Sequence, residues 1–467
     1  SLKGIDKGDF SMVFGYPGST EQYVPSFHIE VLAEQKNPVR IALRGKVLDI
    51  YKRYIEQDDL IRIQYASKAA GVSNGWKKWI GENRGIQRTG IIQRKRQQEE
   101  AFQEWAKQDQ ERESLYGQLL PEYEKLYQEI APLDMARTYF IETGYRIELL
   151  RYAMGFRRLV EASKEGMNDD QLAEMLESYH VRAVNHFKDY QEKIDKEVFV
   201  ALLSEYYNSV EPVFQPEVFQ EVQKKYKGDM EAYADMVFDK SFMTSEEKVL
   251  DFLDKYKTSK YKKIEKDPAY DLAMEMLDVY SKKIRPDLAE LYDQTDSLQR
   301  IYMKAQMEFE PERRFYPDAN FTMRVSYGPI NDYSPADAVY YDYYTTLDGI
   351  MEKENPDIYD YVVEDKLKEL YQEEDYGRYA DEDGTMHVCF TAMNHTSGGN
   401  SGSPVINATG ELIGLNFDRC WEGTMSDIVY DPDQCRNITL DIRYCLFIMD
   451  KFAGAGHLVE EMEVVEE

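Results

Sequence analysis

The chain has 467 residues, enough for two or three domains and an extensive core. Its 87 Asp and Glu against 57 Lys and Arg give a formal charge of -30 at pH 7, which repels phosphate backbones and argues against a nucleic-acid binder. No apolar run approaches the roughly 20 residues that a helix needs to span a bilayer, which argues against a membrane-spanning helix.

Residues 1 to about 40 read as barrel strands, with Gly15-Tyr16-Pro17-Gly18 as a turn and Phe27 to Leu32 as a strand that leaves the barrel. From Gly45 to about Glu310 the period changes, and apolar residues recur at helical spacing among Glu, Lys, Gln and Tyr. Leu115, Leu119, Tyr123, Leu126 and Ile130 follow steps of four, four, three and four, one stripe of a helix. Pro121 and Pro132 are expected to mark a start and a stop. The Arg94-Lys95-Arg96 cluster reads as a solvated helix face, and Asn74-Gly75 has the form of a turn pair beside Trp76. No internal repeat indicates a solenoid.

Strand-like sequence returns at Phe315, and Asn320 to Gly328 alternates apolar with polar residues before a glycine turn. A polar helical stretch is predicted from Thr345 to Glu374, then an extended apolar run from His387 to Met393. After it come Val405-Ile406, the turn Asn407 to Gly410, a strand from Leu412 to Phe417, and a closing helix from Ile442 to Met462. The four cysteines, Cys389, Cys420, Cys435 and Cys445, read as buried free thiols, with a Cys420–Cys435 bridge left open.

Between the run ending at Met393 and the strand at Val405 lies Thr396-Ser397-Gly398-Gly399-Asn400-Ser401-Gly402-Ser403-Pro404, which has the form of the nucleophile loop of chymotrypsin-like serine proteases. Ser401 is the candidate nucleophile. A glycine two positions before the serine lets the amides of Gly399 and Ser401 turn together toward a developing oxyanion. The competing reading is an ordinary turn, since Gly, Asn, Ser and Pro are what turns are made of.

The chain resembles the bacterial serine dipeptidyl-peptidases that combine a chymotrypsin-like double β-barrel with a large helical cap. The resemblance covers nearly the whole chain and is carried by Asp9 to Gly18, Ser73 to Lys77, Asp318 to Thr322, the Ser401 loop, and Asp441 to Tyr444. It implies an α+β fold, with a partial chymotrypsin-like antiparallel β-barrel whose first barrel is missing and a large inserted all-α domain. The expected division is barrel at 1–40, helical cap at 41–314, and barrel with nucleophile loop and C-terminal helix at 315–467.

The family order is His, then Asp, then Ser, so both partners of Ser401 are expected upstream of this sequence, which opens on Ser1 rather than methionine. The chain reads as the C-terminal two-thirds of a longer enzyme and is expected to be nearly inactive alone. Of its six histidines, His387 and His395 lie nearest Ser401 in sequence, and neither has the expected context of the base.

A cap over one end of the cleft leaves room for only a short N-terminal stretch of peptide, which makes an exopeptidase of an endopeptidase plan. The resemblance implies Asp418 and Asn74 as partners of the substrate amino terminus, where the bland alternatives are a surface acid and a turn pair. Arg419 follows the strand after the expected nucleophile hairpin, which the resemblance implies is a wall of the P1 pocket. Its guanidinium can hold a carboxylate through two parallel charge-assisted hydrogen bonds. The resemblance ties arginine here to removal of dipeptides after Asp or Glu, and glycine to hydrophobic P1. The alternative is a salt bridge from Arg419 to Glu422 or Asp427. No cofactor or metal is required. Peptides with a free amino terminus are the expected substrates, the expected location is periplasmic or exported, and a homodimer stays open. The rival readings are a hydrophobic-P1 enzyme of the same kind, a non-catalytic peptide-binding protein and an ordinary endopeptidase.

Overall fold

A computed structural model describes residues 1–466 and shows an α+β protein with two compact units. One comprises Ser1–Val24, Gly81–Arg94 and Pro311–Glu467; the other comprises Pro25–Ile80 and Lys95–Glu310. The first carries all nine described strands: β1 (Phe10–Gly15), β2 (Arg324–Pro329), β3 (Tyr333–Ala336), β4 (Val339–Tyr341), β5 (Tyr344–Thr346), β6 (His387–Ala392), β7 (Ser403–Ile406), β8 (Leu412–Arg419) and β9 (Asn437–Asp441).

Seven of these form one antiparallel sheet in the order β2-β1-β7-β8-β9-β6-β5, and β3 and β4 form a separate ribbon. An antiparallel bridge from Ile330, just past β2, to Ala392 at the end of β6 rolls the sheet toward closure. Alternation explains the register. Val13, Phe390, Ala392, Val405 and Ile413 point inward and are almost fully buried, and together with Ile330 they fill the barrel. A second apolar layer, including Leu347, Tyr379, Met386 and Phe447, packs the C-terminal helix against the sheet.

The other unit is all helical, with one continuous core of Leu, Ile, Val, Tyr and Phe side chains. Leu119, Tyr123, Leu126 and Ile130 are buried along the helix Leu119–Gly144, whereas Leu115 is exposed and belongs to the preceding helix, Gln110–Tyr116. Arg44 and Glu142 form a buried two-pronged ion pair, with Nε to Oε2 at 2.9 Å and Nη2 to Oε1 at 3.0 Å. Trp79 stacks on that guanidinium at 4.3 Å. Gly75 makes room for it, since a Cβ there would lie 2.2 Å from Arg44 Nη1.

Several expected elements differ. The strand expected over Phe27–Leu32 is instead the helix Ser26–Glu30 running into a π-helical segment, Val31–Lys36, so barrel structure does not extend to residue 40. Ile29 and Val31 are buried there, and Val31 joins the helical core. Pro132 does not stop its helix, which continues to Gly144 with Leu133, Ala136 and Phe140 buried beyond it. Asn74-Gly75 is no turn but the interior of the helix Asp59–Thr89. Lys95 is buried, and Arg96 pairs with Glu30 at 2.7 Å, so only Arg94 of that cluster is a plain solvated charge. The stretch Thr345–Glu374 contains two short helices, Leu347–Glu352 and Asp365–Gln372. The closing helix breaks at Gly454, whose φ is +66°.

All four cysteines are free thiols. Cys420 Sγ donates to Gln434 O at 3.1 Å and Cys435 Sγ accepts from Asp431 N–H, and burial pushes the Cys435 thiol up to about 12. No helix among the described residues is long and apolar enough to cross a membrane.

Candidate active site

The loop between β6 and β7 is built on a chain of buried amides. Asn437 Nδ2, on β9, donates to Asn416 Oδ1 on β8 at 2.9 Å, and Asn416 Nδ2 donates to Asn400 O at 3.0 Å. Asn400 closes the loop on itself, accepting from Ser397 N–H through Oδ1 at 3.0 Å while its own N–H reaches Ser397 O at 3.1 Å. These asparagines are 1–4% exposed, so their polar groups are committed to the loop rather than to water.

Gly399 takes φ +104°, a left-handed conformation that glycine adopts without steric penalty. The segment Tyr16-Pro17-Gly18 lies against it, and Gly18 N–H donates to Gly398 O at 2.6 Å. Neither the Gly399 nor the Ser401 N–H has an acceptor among the described residues. Two unspent amide donors two residues apart, on an exposed loop, can take an anionic oxygen.

Ser401 is exposed at the loop tip, and its hydroxyl donates to Phe417 O at 3.1 Å. That carbonyl is available because β8 bulges. Asn416 pairs with Thr439 and Asp418 pairs with Ile438, which leaves Phe417 as an extra residue in the ladder. Asp418, next along, lies within β8 and is exposed, with Oδ1 accepting from Arg419 N–H at 2.8 Å.

Arg419 turns the other way. Nη1 donates to Asp427 Oδ1 and to Ser426 Oγ, each at 2.7 Å, and reaches Thr396 O at 3.4 Å. Glu422, the other acid considered as its partner, accepts instead from Tyr333 Oη at 2.9 Å. Asp427 Oδ1 also accepts from Ser397 Oγ at 2.8 Å, which joins the arginine to the Ser401 loop.

No histidine among the described residues bonds Ser401. His395 Nε2 lies 2.8 Å from Ser426 O and Nδ1 lies 3.4 Å from Tyr316 Oη, and burial lowers its pKa. His387 lies 3.1 Å from Asp381 and stacks on Tyr344 at 4.0 Å, and its pKa too is lowered by burial. Met393, His395, Thr396 and Ser397 border a cavity of about 540 Å³ that is also walled by Phe315, Tyr316, Tyr327 and Tyr430.

The structure thus gathers Ser401, Gly399, Asp418 and Arg419 in the barrel unit, and places Asn74 in the helical unit, exposed on its helix. The asparagine chain, the Phe417 bulge and the Asp427–Ser397 bond escaped sequence reasoning. The one signal was polar residues, Asn416 and Asn437, at inward strand positions where apolar residues are expected.

Comparison with known proteins agrees along the whole chain. The peptidase S46 family model matches residues 1–464. The chain is 42% identical to the Asp/Glu-specific dipeptidyl-peptidase of Flavobacterium psychrophilum over 474 residues, covering 100% of this chain and 64% of that protein. It is 37% identical to dipeptidyl-peptidase 7 of Porphyromonas gingivalis over 470 residues, with the same coverage of 100% and 64%. The crystal structure of Porphyromonas endodontalis DPP11 in complex with the dipeptide Arg-Asp superposes with a TM-score of 0.87 at 35% identity, covering 100% of this chain and 66% of that one. The chain therefore spans somewhat under two thirds of the length of these relatives, and it belongs to the peptidase S46 family.

Proposed function

We propose that the protein is a serine dipeptidyl-peptidase that releases N-terminal dipeptides and prefers Asp or Glu at P1. The observation that carries this reading is the loop itself: an exposed Ser401 hydroxyl beside two unspent amides, with a guanidinium on the neighbouring strand. Ser401 attacks the carbonyl after the second residue, and the amides of Gly399 and Ser401 hold the oxyanion. The histidine base and the aspartate that orients it come from outside the described residues. Asp418 and Asn74 receive the free α-amino group, and Arg419 receives the P1 carboxylate. The helical unit acts as the cap that limits the length of peptide on the N-terminal side, the enzyme works in the periplasm or outside the cell, and no cofactor takes part.

The Arg419–Asp427 ion pair favours a second reading, in which a neutralised arginine leaves the pocket to hydrophobic P1 residues. Hydrolysis of fluorogenic dipeptides ending in Asp, Glu, Leu or Arg separates the two. The protein should be expressed from its complete reading frame and compared with Arg419→Gly. Preference for Asp and Glu that disappears in the variant supports the acidic assignment; preference for Leu in the wild type removes it. Equal turnover of substrates blocked at the amino end would overturn the exopeptidase reading itself.

A further inference from the structure

We infer that Asp427 is a positioning residue for P1 recognition: it holds Arg419 end-on so that the Nε–Nη2 edge of the guanidinium stays fixed and open to an acidic side chain. The inference rests on the role given to Arg419 above and names the residue that makes this arginine a rigid receptor.

A guanidinium has five N–H donors in a planar fork. On Arg419 the Nη1 donors go to Asp427 Oδ1 and Ser426 Oγ, both at 2.7 Å. Nη2 donates to Asp427 Oδ2 at 3.4 Å, and Nε has no acceptor among the described residues. The pairing is therefore end-on, short at Nη1 and long at Nη2. The Nε–Nη2 edge, one of those that grip a carboxylate with two parallel bonds, remains largely unspent.

Asp427 is itself held. Its Oδ1 accepts from Ser397 Oγ at 2.8 Å and its carbonyl accepts from Glu21 N–H at 2.7 Å. The carbonyl of Ser426 accepts from Gln22 Nε2 at 2.6 Å and lies 2.8 Å from His395 Nε2. The side chains of Arg419 and Asp427 are only 13% and 7% exposed. Two effects of Asp427 on a substrate acid oppose one another. Its charge repels the incoming carboxylate, but without it the guanidinium would be a buried, uncompensated cation that leaves its pose for water. The second effect is the larger, because the Asp427 charge is already shared between Nη1 and the Ser397 hydroxyl.

The test is Asp427→Asn in the protein expressed from its complete reading frame, read as the ratio of kcat/KM for a dipeptidyl substrate ending in Glu to that for one ending in Leu. Asparagine keeps an oxygen for Ser397, so the loop stays tied and only the counter-charge is lost. The ratio is expected to fall about 10-fold or more, chiefly through KM for the Glu substrate, with Leu turnover within about threefold of wild type. In an Arg419→Gly background the same change should leave the ratio where it was. Ser426→Ala, which removes the other Nη1 acceptor, should lower the ratio in the same direction by less, and if Asp427→Asn does not fold the same comparison is made with Asp427→Ser. Equal losses on Glu and Leu substrates, or a ratio that is unchanged or rises, would overturn the role of Asp427 while leaving that of Arg419 intact. If wild type does not favour Glu over Leu, or Arg419→Gly keeps that preference, both assignments fall together.

Discussion

A Cβ placed on Gly399 would lie 2.4 Å from the carbonyl oxygen of Tyr16, closer than any real Cβ contact. The residue also sits at φ +104°, where an L side chain is strained whatever the space around it. Gly399→Ala must therefore shift the loop, and with it the amide assigned to the oxyanion. Turnover should fall by about 100-fold or more, the range typical for loss of one oxyanion donor. Steady-state kinetics checks this, and near-wild-type kcat would remove Gly399 from the site.

Ser401 donates to Phe417 O at 3.1 Å, so its proton rests on the main chain of β8 rather than on a base. A fluorophosphonate probe should label Ser401 in the protein expressed from its complete reading frame. Ser401→Ala should abolish the labelling. Labelling of the alanine variant at the wild-type rate would point to a different nucleophile.

The Arg44–Glu142 pair has side chains 10% and 3% exposed, and Glu142 also accepts from Arg146 Nε at 3.4 Å. Glu142→Gln leaves a buried guanidinium uncompensated, a change that costs about 3–5 kcal/mol. Urea denaturation followed by helical circular dichroism should register the loss. A change under about 1 kcal/mol would mean that water reaches the pair and compensates it.

His186 is stacked on Tyr152 at 4.1 Å and leans on Tyr190 at 4.8 Å, and burial, then the nearby Arg151 and Lys68, bring its pKa down to about 3 from 6.5. The sign follows directly. Between pH 6.5 and 3 the unfolded chain binds a proton that the folded one refuses, so the contribution is complete above pH 6.5 and drains as pH falls. The limiting slope is about 1.4 kcal/mol per pH unit. His186→Phe should flatten the acid limb of a Tm-against-pH curve; an unchanged limb would show that the ring is protonated in place.

The sequence made the barrel legible where local chemistry and tertiary placement agree. The run Val405-Ile406, the turn residues Asn407 to Gly410 and the strand expected from Leu412 to Phe417 are found as β7, its turn and β8. They disagree at Phe27–Leu32, where an aromatic and β-branched run suits a strand, yet Ile29 and Val31 are buried in helical structure. Pro132 is similar: its missing N–H removes one helical bond, and the burial of the following turns outweighs that loss. Of the site, the Ser401 loop was readable because glycine conformations are written in local sequence. Asp427 was readable only as one of two acids near Arg419, since which of them bonds it depends on a fold that sends Glu422 to Tyr333.

Gly15 and Arg324 are register partners in adjacent strands, so the β1–β2 pairing closes a loop that contains the helical unit. For a flexible chain of roughly 300 residues that closure costs about 5 kcal/mol of entropy before any strand contact repays it. Helices form through near neighbours and can assemble first, shortening the effective loop until its ends meet. On that order the barrel is expected to close late, and because β7 pairs with β1 and leads directly out of the Ser401 turn, that turn is expected to set only once the helices have formed.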